Sequence, residues 1–135
     1  MTTPPRRLVQ PPFDAEREAY VSLATFRRDG REVRTAVWIA PEGARLYVYT
    51  NGKSGKVKRI RANGRARLAA CDARGRLRRP ERWVDARARV VTDAPTRERA
   101  FAALRRKYGW QLALVLFGAR LGGRFADRAI VELQV

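Results

Sequence analysis

The chain has 135 residues and a formal net charge of +17, from 30 Lys or Arg against 13 Asp or Glu. It has a single cysteine and no histidine. These counts exclude imidazole acid–base catalysis, a disulfide framework and a zinc site of paired thiolates, and we expect no metal site. The length is that of one domain, which we expect to span residues 13–135.

The first half of the chain reads mainly as β-strands. An extended, proline-rich lead-in covers residues 1–12, and Asp14 is positioned to cap a short helix after it. Apolar alternation then predicts strands over residues 20–26, 32–40 and 45–50, the first two joined by an Asp-Gly turn. We expect these three strands to form a meander.

The second half mixes strands and helices. A helix over residues 55–62 is predicted by Ser54 as its N-cap and by Asn63-Gly64 as its end. The remaining predicted elements are strands over residues 67–72, 83–92 and 129–135, a helix from Asp93 with an apolar stripe of Phe101, Leu104 and Tyr108, and a helix over the apolar run 110–117.

Six strands and two to four helices, mostly connected by hairpins, indicate a mainly β (α+β) fold, a small antiparallel barrel with appended helices. The run 110–117 is too short to cross a bilayer, and the N-terminus has no secretory apolar segment. We therefore expect a cytoplasmic protein.

The most informative stretch joins the strand that ends at Thr50 to the helix that begins after Ser54. A helix start exposes unpaired N–H groups and the positive end of the helix dipole. Together with two hydroxyl groups and the charges of Lys56 and Lys58, it suits a phosphate group, and Arg34 and Thr35 are placed to complete the site. The alternative is a capping serine followed by a solvated basic face.

Residues 47–63 read YVYTNGKSGKVKRIRAN. This segment resembles the phosphate-binding segment of the pyridoxamine 5′-phosphate oxidase superfamily, in which a strand ending in Tyr-Thr-Asn leads to Ser-Arg-Lys at a helix start. The sequence differs at Gly55, where the flavin enzymes usually have Arg, and at Gly64, where they usually have Pro.

Several segments are similar to the F420-dependent branch of that superfamily: residues 20–26, 29–30, 35–38, 45–48, 54–61, 70–72 with 74–75, 86–90 and 107–109. The resemblance implies a split β-barrel homodimer, like the FMN-binding proteins, with the cofactor at the subunit interface and hydride transfer as its reaction. By position it implies these cofactor-binding residues: Arg34, Thr35, Ala36, Val37, Trp38, Thr50, Ser54, Gly55, Lys56, Val57, Lys58 and Arg59.

Several alternatives stay open. The cofactor is F420 or, as the alternative within the superfamily, FMN, and the protein either turns over an unidentified small substrate or only binds the cofactor. A proton, if needed, comes from water, Tyr47, Tyr49 or Tyr108. A basic nucleic-acid-binding protein is a third class, but arginines fall in strands, loops and helices alike, which argues against one binding face.

Overall fold

The computed structural model describes residues 13–79, 82–121 and 128–135, so the predicted lead-in over residues 1–12 lies outside the described residues. Its elements are β1 (Tyr20–Phe26), β2 (Glu32–Val37), β3 (Ile39–Glu42), β4 (Arg45–Asn51), α1 (Gly55–Asn63), β5 (Arg65–Cys71), β6 (Val84–Val90), α2 (Ala94–Tyr108), α3 (Trp110–Leu121) and β7 (Arg128–Gln134).

The strands form one antiparallel sheet in the order β2-β1-β5-β6-β7-β4-β3. The two edge strands, β2 and β3, follow each other along the chain with only Trp38 between them. Because a single residue spans the distance between the two edges, the sheet curls into a barrel. β2 also approaches β4, yet within the described residues its hydrogen-bonded partner is β1. The fold is thus a mainly β split barrel with appended helices, which confirms the predicted fold class.

The strand predicted over residues 32–40 is in fact two strands. β2 pairs with β1 as far as Val37 opposite Val21, whereas β3 pairs with β4 from Ile39 onward. At Trp38 the chain stops pairing with β1 and begins to pair with β4. The sequence pattern does not reveal this change, because the alternation of side chains continues across Trp38. The predicted meander is therefore wrong, and two hairpins in a seven-stranded sheet replace it.

The short helix predicted after Asp14 is a single turn that does not continue as a helix. The Asp14 side chain accepts the Glu16 N–H at 2.9 Å, as predicted for a capping residue. The Glu18 N–H bonds to the Asp14 carbonyl oxygen at 2.9 Å, as in one helical turn. The carbonyl oxygens of Ala15 and Glu18 then accept hydrogen bonds from the Lys107 ammonium group, each at 2.6 Å. The segment before β1 is thus tied to α2 through Lys107.

The other predicted elements are confirmed near their expected positions. α2 begins after Asp93, whose side chain accepts the Thr96 N–H at 3.0 Å, and its stripe of Phe101, Leu104 and Tyr108 is buried. The apolar run after Gly109 is a helix, as predicted, and forms α3.

Apolar side chains form two packed clusters. One fills the barrel with residues such as Leu23, Leu68 and Leu133. The other lies between the outer face of the barrel and the helices, with Leu104 and Leu112. No helix in the described part of the chain has both the length and the hydrophobicity that a membrane crossing requires.

Candidate functional site

The loop between β4 and α1 brings the end of a strand next to the start of a helix. The Ser54 N–H bonds to the Asn51 carbonyl oxygen at 3.0 Å, which closes the loop. α1 begins at Gly55 and is anchored to the barrel by the buried side chains of Val57 and Ile60. The first N–H groups of a helix have no acceptor within it, and the helix dipole makes this end positive. This end of α1 therefore favours an anion.

Ser54 occupies the N-cap position, as predicted, but its side chain does not cap the helix. Its Oγ atom is buried and has no hydrogen-bond partner among the described residues. A buried hydroxyl group without a partner costs free energy, and such groups are uncommon in folded proteins. The Ser54 hydroxyl is thus a group that a bound ligand would satisfy.

Lys56 lies beside it and points toward the end of β4. Its Nζ donates a hydrogen bond to Thr50 Oγ1 at 3.0 Å, and Thr50 is only 7% exposed. Since that hydroxyl accepts from Lys56, its own proton remains available to a ligand. Burial lowers the pKa of Lys56, and the nearby positive charge of Arg59 lowers it further. An anion in contact with both cations would remove that repulsion.

Arg59 reaches back along the helix to its first turn. Its Nε donates to Thr25 Oγ1 at 2.7 Å, and its guanidinium group lies over Gly55. A Cβ atom on Gly55 would come within 2.7 Å of Arg59 Nη1. Burial lowers the pKa of Arg59, and the charge of Arg27 adds to this effect. The missing side chain of Gly55 therefore gives a second cation access to the helix start.

The two remaining predicted residues of α1 are arranged differently. The Val57 side chain is fully buried in contact with the barrel, so only its backbone N–H is oriented as part of the helix start. The Lys58 side chain is exposed to solvent. The charges that converge at the helix start are therefore those of Lys56 and Arg59.

The predicted residues of β2 lie on an edge strand of the sheet, and the Val37 side chain is buried in the barrel core. Continuing the β3–β4 register beyond Ile39 opposite Val48 would place Val37 opposite Thr50, but β2 does not join β4 there. Among the described residues, β2 therefore has one edge without a strand partner, and it approaches β4. Thr35 and Ala36 are half-buried along this edge.

Two side chains of this segment have partners elsewhere. Arg34 forms an ion pair with Glu32 at 3.0 Å, and its guanidinium group lies 4.7 Å from the centroid of the Trp83 ring. Trp38 stacks on Tyr108 with a centroid distance of 4.4 Å and an interplanar angle of 8°. The side chains of Arg34 and Trp38 are therefore held by partners outside the loop between β4 and α1.

Two of the three tyrosines that are candidate proton donors have their hydroxyl groups in hydrogen bonds. The Tyr47 hydroxyl donates to Glu132 Oε2 at 2.9 Å, and the Tyr108 hydroxyl lies 2.8 Å from the Ala19 carbonyl oxygen. Burial raises the pKa of Tyr47 to about 12, and it raises the pKa of Tyr108 to about 12 as well. Both groups keep their protons at neutral pH.

Sequence reasoning missed Thr25, the partner that holds Arg59. The alternation of β1 places Thr25 on the same side of the strand as Val21 and Leu23, which is an unusual position for a hydroxyl group. That polar residue in an apolar row was the available signal. Its partner is 34 positions away in the sequence, which no local pattern reveals.

The chain is similar to several proteins of known structure and to one protein family. Among solved structures the chain is similar to an F420 reductase, with 25% identity, a TM-score of 0.55, and coverage of 89% of this chain and 88% of that one. It is also similar to HutZ, the heme storage protein from Vibrio cholerae, with 16% identity, a TM-score of 0.64 and coverage of 89% and 83%.

A FAD-binding protein from Mesorhizobium loti is a third similar structure, with 19% identity, a TM-score of 0.56 and coverage of 87% and 78%. No curated protein matches the chain in sequence. A family profile described as pyridoxamine 5′-phosphate oxidase matches residues 14–135, which include the whole described barrel and its helices. The chain therefore belongs to the pyridoxamine 5′-phosphate oxidase family.

Proposed function

We propose that this protein is an F420-dependent oxidoreductase that binds the phosphate group of its cofactor at the start of α1. The observation that supports this most strongly is the buried Ser54 hydroxyl, which has no partner among the described residues. Ser54 lies in the chain between Thr50 and Lys56, whose side chains bond to each other. The residues that would hold the phosphate are these two hydroxyls, Lys56, Arg59 and the first N–H groups of α1.

The charges of the site fit a phosphate group. Lys56 and Arg59 repel each other, and burial removes part of their hydration. Bringing two cations together costs free energy unless an anion pairs with them. Hydroxyl protons and helix N–H groups are the donors that phosphate oxygens prefer. The site thus has the donor set and the charge for a phosphate group.

The remaining residues orient and enclose the cofactor. A bound deazaflavin supplies hydride transfer to or from a small organic substrate. The free edge of β2, with Thr35, Ala36 and Val37, would lie along its ring and exclude water on that side. Since the hydride belongs to the cofactor, the lack of histidine is no obstacle to this activity.

F420 is favoured over FMN by two observations. Residue 55 is glycine, whereas the flavin enzymes usually have an arginine there, and an F420 reductase is among the similar solved structures, with 25% identity. FMN remains the alternative cofactor, and binding without turnover is the alternative role.

We also propose that the protein is a homodimer. The side chains of Trp110, Leu114 and Val115 on α3 are 71%, 59% and 39% exposed. Apolar side chains grouped in this way on one helix indicate a surface that a partner covers. A second copy of the chain is the partner that the family resemblance implies.

The test is equilibrium titration of the purified protein with F420 and with FMN, followed by cofactor fluorescence at about 150 mM salt. We expect F420 to bind more tightly than FMN. If FMN binds more tightly, the FMN alternative replaces this proposal. Binding of neither cofactor would contradict the proposal as a whole.

The same titration with duplex DNA distinguishes the nucleic-acid class. DNA binding driven by net charge alone loses affinity steeply with salt, with a log–log slope of about −0.9 for each phosphate contact. We expect such binding to be weak at 150 mM salt, at which F420 binding persists. Tight, salt-resistant DNA binding without cofactor binding would favour the nucleic-acid class instead.

A further inference from the structure

The antiparallel pairing between β1 and β2 ends two residues before Ile39, although the same register could include it. Val21 lies opposite Val37 as the last pair of this ladder. Continuing the same antiparallel register by two residues would place Ala19 opposite Ile39. Ile39 instead belongs to β3 and pairs with Val48 of β4. Something must therefore keep Ile39 from extending the ladder with β1.

The Tyr108 hydroxyl occupies the space between these two strand ends. It accepts a hydrogen bond from the Ile39 N–H at 2.9 Å. Its own proton faces two carbonyl oxygens, that of Ala19 at 2.8 Å and that of Ile39 at 3.1 Å. One phenol group thus bonds to both residues that the β1–β2 register would bring together.

The Lys107 ammonium group fills the rest of the gap. Its Nζ donates to the carbonyl oxygens of Ala15 at 2.6 Å, Glu18 at 2.6 Å and Ile39 at 2.5 Å. An ammonium group has three protons, so each one has an acceptor. Two of these acceptors precede β1 and the third is on β3, so Lys107 also bridges the two sides.

We infer that Lys107 and Tyr108 form a wedge that holds the barrel split open after Trp38 and thereby positions the free edge of β2. The wedge satisfies both backbone polar groups of Ile39 with side chains, so β3 can leave β1 and join β4 without burying an unpaired N–H or carbonyl group. The part of this inference that concerns the cofactor rests on the proposed function, in which the edge of β2 lies along the cofactor ring.

Trp38, which follows β2, also stacks on the wedge. Its indole ring lies flat on the Tyr108 ring at 4.4 Å, and the Lys107 ammonium group lies 5.0 Å from the centroid of the same phenol ring. The residue that separates β2 from β3 is therefore fixed by its side chain as well as by its neighbours. Lys107 and Tyr108 act through Trp38 and Ile39, as positioning residues.

The test compares Tyr108→Phe and Lys107→Met with Tyr47→Phe as a matched control. Tyr47 is also buried, and its hydroxyl also donates one hydrogen bond, but to Glu132 on the other side of β4. The first measurement is amide hydrogen exchange without any cofactor. We expect the Ile39 amide to exchange at least about 10-fold faster in Tyr108→Phe than in Tyr47→Phe, since it loses its acceptor.

The second measurement is the dissociation constant of F420 or FMN, whichever binds the unmodified protein, together with the absorbance spectrum of the bound cofactor. Both wedge variants should raise the dissociation constant by about 5- to 20-fold and shift the spectrum, whereas Tyr47→Phe should do neither.

Each outcome decides one part of the inference. Exchange at Ile39 that matches the control in Tyr108→Phe would overturn the wedge. Faster exchange with unchanged cofactor affinity and spectrum would overturn its positioning role. If the unmodified protein binds neither cofactor, the proposed function fails, and the exchange experiment alone then supports or overturns the wedge.

Discussion

Replacing Lys56 by alanine tests the phosphate site most sharply. A charge-assisted hydrogen bond contributes about 1.5–3 kcal/mol. In the free protein, however, the ammonium group already bonds to Thr50 at 3.0 Å and repels Arg59. The variant releases the Thr50 hydroxyl for the ligand and removes the repulsion, and both effects offset part of the loss. We therefore expect the substitution to weaken the binding of F420 by about 1–2 kcal/mol, which is a rise of roughly 5- to 30-fold in its dissociation constant.

The control is Arg61→Ala, which removes one positive charge from the last turn of the same helix. The Arg61 side chain is exposed, and its distance from the helix start leaves it only a screened, long-range effect. We expect a change of less than about twofold for this variant. Fluorescence titration at about 150 mM salt measures both variants. Equal effects of the two substitutions would refute the reasoning, because they would indicate diffuse attraction by the net charge instead of a defined site.

Three further predictions follow from single positions. Gly55→Ala should leave the fold intact but weaken F420 binding in the same titration, because the added Cβ would lie 2.7 Å from Arg59 Nη1 and displace that cation; unchanged affinity would exclude Arg59 from the site. Leu114→Glu places a charge on a side chain that is 59% exposed, and should convert a dimer into a monomer in sedimentation velocity; a protein that is monomeric without the substitution would contradict the proposed interface. Burial lowers the pKa of Lys107 to about 8 in the folded protein, whereas the unfolded chain retains the ordinary value of 10.5. Between about pH 8 and pH 10 the unfolded state therefore binds more protons than the folded state. The free energy of unfolding, relative to Lys107→Met, should rise from about pH 8 to about pH 10 in denaturant titrations, and a flat or falling difference would contradict this pKa.

Local signals in the sequence were sufficient for much of the fold. Asp93 with a following proline predicts the start of α2, and Asn63-Gly64 predicts the end of α1, where Gly64 has a φ of 69°. Both are decided by hydrogen bonds within a few residues, which is why a local pattern reveals them.

The errors occur where distant residues decide the structure. The strand over residues 32–40 breaks at Trp38 because Tyr108 and Lys107 bond to Ile39 from about 70 positions away. Lys107 also bonds to the carbonyl oxygens of Ala15 and Glu18, in the segment where the predicted short helix is only a single turn.

The candidate site shows the same division. The loop from Thr50 to Ser54 and the charge of Lys56 were predicted from a contiguous segment. The resemblance implies Arg59 as a cofactor-binding residue, but the sequence does not predict where its guanidinium group lies. That placement depends on Thr25 of β1 and on the space above Gly55.

In the proposed function, the start of α1 binds the phosphate group of F420. The most direct test of this claim is an NMR titration in which the backbone amide shifts of the protein are followed as F420 is added. We expect the largest shifts at Gly55, Lys56 and Val57, with a second group along the edge of β2. F420 binding that leaves these three amides unchanged, or that shifts residues elsewhere on the barrel, would contradict the claim.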